Sequence, residues 1–165
     1  MKSVLLALLL ASPAALAERR WTVEAGQALV SVEAGRFTAF SHGITGTLVE
    51  LDNGLSRLEL HLPLATLTTG NAALDEQAVR QGEAVFEGVA EGHDGALNFI
   101  GTLRLRGVSR PVALTISVSR TDSMLFAHAS STLRLRDFGI PLATDQARFQ
   151  LDAGLRKQGV LASRE

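Results

Sequence analysis

Two stretches of period-two alternation constrain the fold of this chain more than any other feature. Gly101–Val118 and Ser131–Ile140 alternate apolar residues with Arg, Thr or Ser, and a turn signal at Gly107–Pro111 interrupts the first stretch. Successive side chains of a β-strand point to opposite faces, so this pattern places the apolar residues on one face of a sheet. Such a pattern is typical of a sheet that encloses an apolar interior rather than of a catalytic cleft.

The N-terminal segment, residues 1–17, has the features of a secretory signal peptide. Lys2 precedes the apolar run Val4–Leu10, and a small-x-small cleavage sequence ends at Ala17. The apolar run is shorter than the roughly 20 residues of a membrane span, and an uncleaved N-terminal anchor is the alternative. We therefore expect cleavage near Ala17 and a periplasmic or secreted protein in which residues 18–165 form a single domain.

The composition argues against several kinds of chemistry. The chain has no Cys, which excludes disulfides, thiol catalysis and Cys-ligated metal sites. The formal net charge of −1 provides no field that would attract nucleic acid. The four His residues are scattered without metal-ligand spacing, and no nucleophile elbow, Walker loop or dinucleotide motif is present. The sequence thus predicts no catalytic residues, metal site or cofactor, and we do not expect an enzyme.

Alternating segments recur along most of the chain, largely at the spacing of β-hairpins. They include Leu58–Leu64, Leu97–Leu105 and Phe149–Leu155. A helix is predicted near residues 71–84, where Asn71 is a suitable N-cap. About eight antiparallel strands with one short inserted helix indicate an all-β domain, either a closed barrel or a sandwich. An eight-stranded barrel has room inside for side chains or for one small ligand.

Several motifs resemble those of the YceI-like family. The longest is Gly101–Leu114, GTLRLRGVSRPVAL, which resembles that family's G-x-L-x-[IVL]-[RK]-G-V-[ST]-[KR]-P-V-x-L signature. Shorter similarities lie at Arg136–Ile140, Trp21–Glu24, Phe40–Gly46 and Ala78–Phe86. The resemblance implies an antiparallel, eight-stranded, lipocalin-like β-barrel that is exported, is often dimeric, and encloses a polyisoprenoid or another long lipid chain.

Departures from the family pattern leave two interpretations of the interior open. Glu24–Ala28 replaces the Asp-Pro-x-His-Ser of the family, and the usual Pro after Phe86 is absent. The first interpretation is a periplasmic carrier or sensor that holds an apolar chain lipid inside the barrel. The second is a filled-core barrel that acts as an interaction module of the cell envelope without a bound lipid. A homodimer and a membrane-associated partner protein are further expectations.

The predicted lining of the interior consists of large apolar residues from the alternating segments and the second motif. Burial of one CH₂ group is worth about 0.8 kcal/mol, so an isoprene unit offers at most roughly 4 kcal/mol. Each predicted residue is also compatible with ordinary core packing, so the hypothesis concerns the set rather than any single member. The predicted ligand-binding residues are Leu60, Leu62, Phe99, Leu103, Leu114, Ile116, Phe126 and Phe138.

Five arginines form a separate set with two interpretations. Within each Arg-Leu-Arg run the two guanidiniums lie on the same face of the sheet. They are suited to an anionic headgroup such as a phosphate or carboxylate. The alternative is a solvated outer face with cross-strand partners such as Asp137 or Glu59. The five residues are Arg104, Arg106, Arg110, Arg134 and Arg136.

Overall fold

The computed structural model describes residues 18–140 and 145–159, and the predicted signal peptide, residues 1–17, lies outside these described residues. The described part contains nine β-strands, one α-helix and two short 3-10 turns. The strands are β1 (Glu18–Ala34), β2 (Phe37–Ser41), β3 (Thr45–Leu51), β4 (Leu55–Pro63), β5 (Glu83–Glu91), β6 (Gly95–Leu105), β7 (Val108–Arg120), β8 (Met124–Arg134) and β9 (Gln146–Lys157). The first 3-10 turn (Leu64–Thr66) and helix α1 (Ala72–Val79) lie between β4 and β5, and the second 3-10 turn (Leu135–Phe138) follows β8.

The strands form one antiparallel sheet that closes on itself. Neighbouring strands follow the order β1-β3-β4-β5-β6-β7-β8-β9, and β9 returns to pair with β1, for example at Val30–Leu151. Strand β2 lies outside this ring and pairs with β1 from Val30–Ser41 to Ala34–Phe37. The predicted eight-stranded antiparallel barrel is therefore confirmed.

The predicted helix is present but shorter than the range 71–84. It is capped as expected, since Asn71 Oδ1 accepts hydrogen bonds from the backbone N of Ala73 (3.0 Å) and Leu74 (3.2 Å). The helix stops early because Gly82, with φ +78°, turns the chain toward β5. Strand β5 then begins at Glu83, which pairs with the end of β4. The last residues that a weak apolar periodicity had assigned to the helix thus belong to strand β5.

The β6–β7 turn is tighter than the Gly107–Pro111 turn that the sequence predicts. Arg106 (φ 56°) and Gly107 (φ 74°) form a two-residue hairpin with two positive φ angles. Strand β7 begins at Val108, so Pro111 lies within it and opposite Thr102 of β6. A Pro is tolerated here because, among the strands that the structure describes, only β6 pairs with this part of β7, so the missing N–H breaks no ladder on the other side.

Inward-facing apolar residues from every strand of the ring form one core cluster. Val30, Phe99, Leu125 and Ala129 are completely buried at its centre. Helix α1 has eight residues, and no helix in the described part is long and apolar enough to cross a lipid bilayer.

Candidate functional site: a cavity at one end of the barrel

A cavity of about 310 Å³ occupies one end of the barrel interior. We call this the hollow end; the β1–β2, β4–β5, β6–β7 and β8–β9 connections lie there. All residues that line the cavity are apolar except Gln81 and Ser131. Ligand pockets in proteins commonly measure about 300–1,000 Å³, so this cavity is large enough for a small apolar ligand or part of a larger one.

The walls of the cavity come from alternate residues of the strands. On β6, Leu103 and Leu105 face the cavity, while Arg104 between them is exposed. Val112 and Leu114 continue the wall on β7. The period-two pattern of the sequence is therefore what lines the cavity. The remaining wall residues on strands are Val32, Leu60, Leu62, Ala84, Phe86, Ser131, Leu133, Ala147 and Phe149.

The barrel wall divides between β7 and β8 at the hollow end. Backbone pairing of these two strands stops at Thr115–Ser130. Beyond this point a side chain bridges the strands, since Ser131 Oγ donates to the backbone O of Ala113 (3.0 Å). Strand β8 meanwhile continues to pair with β9 as far as Arg134. The separation of the two strands widens the interior at this end.

The second 3-10 turn contacts β7 beside this gap. Its Leu135 lines the cavity, and Phe138 is only 2% exposed. Arg106 Nη1 of the β6–β7 turn donates to the backbone O of Gly139 (2.9 Å), which fixes the end of the turn. The gap is thus covered by a short segment rather than by a strand.

A second cover crosses the mouth of the cavity between β4 and β5. Leu64 of the first 3-10 turn lines the cavity, and Thr66 Oγ1 lies 2.6 Å from Ser41 Oγ, which ties the turn to β2. Ala78 and Gln81, in and after α1, also line the cavity. The helix has no buried residue, so it forms a thin cover that is loosely packed on the barrel.

The opposite end of the interior, which we call the closed end, is filled. A void there measures about 20 Å³, close to the space of a single water molecule. The completely buried Phe99 borders this void, together with Leu58 and Leu155. The same barrel wall therefore surrounds both parts of the interior, but the side chains fill the space only at the closed end.

A buried carboxylate seals the closed end. Glu50 accepts hydrogen bonds from Arg120 Nη1 (2.8 Å) and Arg19 Nη2 (3.2 Å), and its side chain is 0% exposed. His93 Nδ1 lies 3.5 Å from Glu50 Oε2, and the Arg120 guanidinium lies 5.7 Å from the ring centroid of Trp21. An unpaired charge would be very costly at such a site, so the two guanidiniums are what makes it stable. This network acts as a structural plug.

Four of the predicted ligand-binding residues lie together at the hollow end. Leu60, Leu62, Leu103 and Leu114 all border the cavity. The cavity also uses residues that the sequence analysis did not select. Phe149 carried a usable signal, because it begins the alternating series of β9, whereas Phe86 directly follows the apolar Val85 and its facing direction was ambiguous.

The other four predicted residues lie elsewhere. Phe99 and Ile116 face the interior but border the small void of the closed end. Phe138 is buried in the core cluster and is not part of the cavity lining. Phe126 lies on the outer face of β8 and is 47% exposed, so its predicted inward position is wrong. Leu125 takes the inward position instead, and a period-two pattern cannot distinguish these two adjacent apolar residues.

The five predicted arginines are all exposed around the hollow end. Asp145, rather than the predicted Asp137 or Glu59, is the carboxylate beside them, at 3.9 Å from Arg134 Nε and 3.6 Å from Arg136 Nε. The other three, Arg104, Arg106 and Arg110, form no ion pair within the described part of the chain.

One histidine near the hollow end is held between two carboxylates on the outer face. His61 Nε2 is hydrogen-bonded to Glu59, and its Nδ1 lies 3.0 Å from Glu83 Oε1. The hydrogen bond to Glu59 raises the pKa of His61 above 6.5, partial burial opposes this change, and Glu83 adds to the increase. The described residues contain no group of three or more His, Asp or Glu side chains placed to hold a metal ion.

Solved structures and a family model place this barrel among known proteins. It resembles the crystal structure of BcnA from Burkholderia cenocepacia with a TM-score of 0.68 and 11% identity, over 80% of this chain and 98% of that one. It also resembles a polyisoprenoid binding domain from Saccharophagus degradans, implicated in plant cell wall breakdown, with a TM-score of 0.61 and 11% identity, over 87% of this chain and 99% of that one. No curated protein matches in sequence. The model of the YceI-like domain matches residues 16–155, which include eight of the nine strands in full and most of the ninth, and the chain therefore belongs to the YceI-like family.

Proposed function

We propose that this protein binds the end of a long apolar chain, such as a polyisoprenoid, in the hollow end of its barrel. The observation that carries this proposal is the apolar cavity of about 310 Å³. The similar structure from Saccharophagus degradans is described as a polyisoprenoid binding domain, which supports the same class of ligand.

We further propose a binding protein rather than an enzyme, because the cavity offers little chemistry. Its polar lining residues are Gln81 and Ser131, and the Ser131 hydroxyl already donates to the backbone O of Ala113. Neither residue has a general base or a charged partner within the lining. Nucleophilic catalysis needs such a partner to activate the hydroxyl.

The volume of the cavity sets the length of chain that it accepts. An apolar cavity of about 150 Å³ holds benzene, with six carbons. A cavity of about 310 Å³ is roughly twice as large and should hold about twelve carbons, or between two and three isoprene units. Any longer chain would extend through the mouth. About twelve buried carbons offer at most roughly 10 kcal/mol before ordering costs, which is sufficient for micromolar binding.

The proposed role is that of a periplasmic carrier or sensor, exported after removal of residues 1–17. N-terminal sequencing of the exported protein should find Glu18 as the first residue. The alternative of a filled-core interaction module describes the closed end only, where the void is about 20 Å³. The homodimer and the membrane-associated partner protein stay predictions of the sequence.

A chain-length series tests the proposal directly. Geraniol, farnesol and geranylgeraniol each add one isoprene unit, and their affinities can be measured by calorimetry. We expect the affinity to increase from geraniol to farnesol and then to level off, because the additional unit stays outside the cavity. Absence of binding by all three alcohols would overturn the proposal.

A pair of variants on one strand controls for non-specific binding. Leu103→Trp places an indole in the cavity, so farnesol affinity should fall at least roughly tenfold through lost apolar burial. Ile100→Trp introduces the same side chain on the outer face of β6, where Ile100 is 58% exposed, and should leave the affinity unchanged. Equal affinities in the two variants would show that the alcohol binds outside the cavity.

A further inference from the structure

Two segments cover the hollow end, and they are held to the barrel in different ways. The second 3-10 turn is anchored, because Leu135 and Phe138 are buried. Arg106 Nη1 also donates to the backbone O of Gly139 at its end (2.9 Å). Helix α1 contributes Ala78 to the cavity lining but has no buried residue. Local opening is easiest where few apolar contacts are buried, so α1 is the cover that opens more readily.

The chain is fixed to the barrel on both sides of α1. Before the helix, Phe40 and Thr68 exchange two backbone hydrogen bonds of 3.0 and 2.9 Å. After the helix, the backbone N of Leu64 donates to the backbone O of Gly82 (2.9 Å). The segment between these fixed points, residues 70–82, can therefore move without disturbing the barrel wall. We call this segment the lid.

A glycine stands at each end of the lid. Gly70 has a φ of +80° and Gly82 a φ of +78°, and an added Cβ at either position would meet no atom within 4 Å. Packing therefore leaves both residues unrestricted, and glycine reaches a wider range of backbone angles than other residues. Hinges are typically a few such residues at the ends of an element. Gly70 and Gly82 thus have the position and the freedom of two hinges.

One side chain holds the lid closed across its first hinge. Asp75 Oδ1 accepts hydrogen bonds from Thr69 N (2.9 Å) and Thr69 Oγ1 (2.8 Å), and Thr69 lies on the fixed side of Gly70. Within the described part of the chain, no other side chain of α1 forms a hydrogen bond outside the helix. Hydrogen bonds to a carboxylate are stronger than those to a neutral acceptor. Asp75 therefore acts as a latch.

We propose that the lid is the entrance of the cavity and that the Asp75 latch sets how often it opens. This inference rests on the proposed function, since it names the route by which an apolar chain enters. The latch stabilises the closed lid equally with and without ligand, because neither Asp75 nor Thr69 lines the cavity. Loss of the latch should therefore raise the association and dissociation rates by the same factor and leave the affinity unchanged. Loss of a contact with the ligand would instead lower the affinity.

The exchange rates of a fluorescent farnesol test the latch. Farnesol that carries a dansyl label at its hydroxyl end is followed by stopped-flow fluorescence. Asp75→Ala should raise both rates at least roughly threefold, because two hydrogen bonds are lost. Asp75→Asn keeps an oxygen acceptor and should restore most of the slow exchange. Glu76→Ala removes the neighbouring exposed carboxylate and should leave the rates unchanged. Wild-type rates in Asp75→Ala would overturn the proposal.

Two engineered disulfides compare the lid with the fixed part of the same cover. The chain has no native Cys, so the two introduced thiols of each variant have only each other as intramolecular partners. Thr69→Cys/Asp75→Cys replaces the latch by a covalent bond, and its oxidation should slow both rates at least roughly tenfold. Ser41→Cys/Thr66→Cys replaces the 2.6 Å contact that ties the first 3-10 turn to β2, and its oxidation should leave the rates unchanged. Equal effects of the two disulfides would overturn the lid as the entrance.

Hydrogen exchange without any ligand separates this inference from the proposed function. The backbone amides of α1 should exchange faster than those of the second 3-10 turn, and Asp75→Ala should accelerate the exchange of α1 alone. A protein that shows this pattern but binds no farnesol would support the lid and overturn the proposed ligand. A protein that binds farnesol, but in which Arg106→Ala rather than Asp75→Ala speeds the farnesol exchange, would keep the ligand and overturn the lid in favour of the gap between β7 and β8.

Discussion

The hollow and closed ends of this barrel are built from the same kinds of residues, yet one contains a cavity of about 310 Å³ and the other a void of about 20 Å³. Both ends use inward-facing Leu, Val and Phe at alternate strand positions. Apolar lining alone therefore does not decide whether a barrel is open inside. The difference lies in how the strands and their connections are arranged around those side chains.

At the closed end β7 and β8 remain paired, and a polar plug links two parts of the wall. Strands β7 and β8 pair fully there, and Arg120 at the end of β7 reaches Glu50 at the end of β3. At the hollow end β7 and β8 separate, β2 lies outside the ring, and short helical segments cover the mouth. The wider spacing leaves side chains that would otherwise interlock facing empty space.

The largest expected effect is the loss of stability when a buried phenylalanine is truncated, and it should differ between the two ends. Phe99 is 0% exposed in the filled part, so Phe99→Ala should destabilise the protein by about 3–5 kcal/mol through lost burial and a new cavity. Phe86 is 6% exposed but borders the existing cavity, so its ring has fewer neighbours and Phe86→Ala should cost roughly 1–2 kcal/mol less. Urea denaturation measures both values, and equal losses would contradict the contrast in packing.

The second effect concerns ion pairs at the two ends. Glu50→Ala leaves two guanidiniums without their buried partner and should cost about 3–5 kcal/mol. Glu33→Ala removes an exposed pair with Arg148 at the hollow end and should cost about 0–1 kcal/mol. Thermal and urea unfolding of the two variants gives the comparison. A small loss in Glu50→Ala would mean that the plug does not hold the closed end.

The alternation of the sequence was sufficient to predict an all-β domain, and the resemblance to the YceI-like family implied a barrel rather than a sandwich, but neither gave the position of the cavity. Leu103 and Ile116 occupy equivalent alternating positions of neighbouring strands, and only their height in the barrel places one beside the cavity and the other in the filled part. That height depends on the separation of β7 from β8, for which the sequence shows no clear signal. The plug was also hidden, because Glu50 and Arg120 are 70 residues apart.

Leu103 and Ile116 also give the third prediction, which tests whether each position has room for a larger side chain. Ile116→Trp overfills the packed part and should destabilise the protein by about 1–3 kcal/mol. Leu103→Trp has room in the cavity and should cost less than about 1 kcal/mol. Urea denaturation of the two variants, read beside their farnesol affinities, separates folding from binding. A loss at Leu103→Trp as large as that at Ile116→Trp would indicate that the cavity is closed in solution.

The smallest effect is a pH dependence at the hollow end, where His61 lies between Glu59 and Glu83. Because its pKa is raised in the folded protein, the stabilisation is fully present below about pH 6.5 and is lost as the pH rises through the raised value. His61 and both carboxylates are partly exposed, so their contribution to the free energy of unfolding should be a fraction of 1 kcal/mol.

His61→Gln removes this titration, so the wild type should exceed the variant in stability by more at about pH 6 than at about pH 9. Glu59→Gln should remove most of the same dependence, because the hydrogen bond to Glu59 is the largest cause of the raised pKa. Urea midpoints at the two pH values measure the difference. If both variants keep the wild-type pH dependence, the titrating group lies elsewhere.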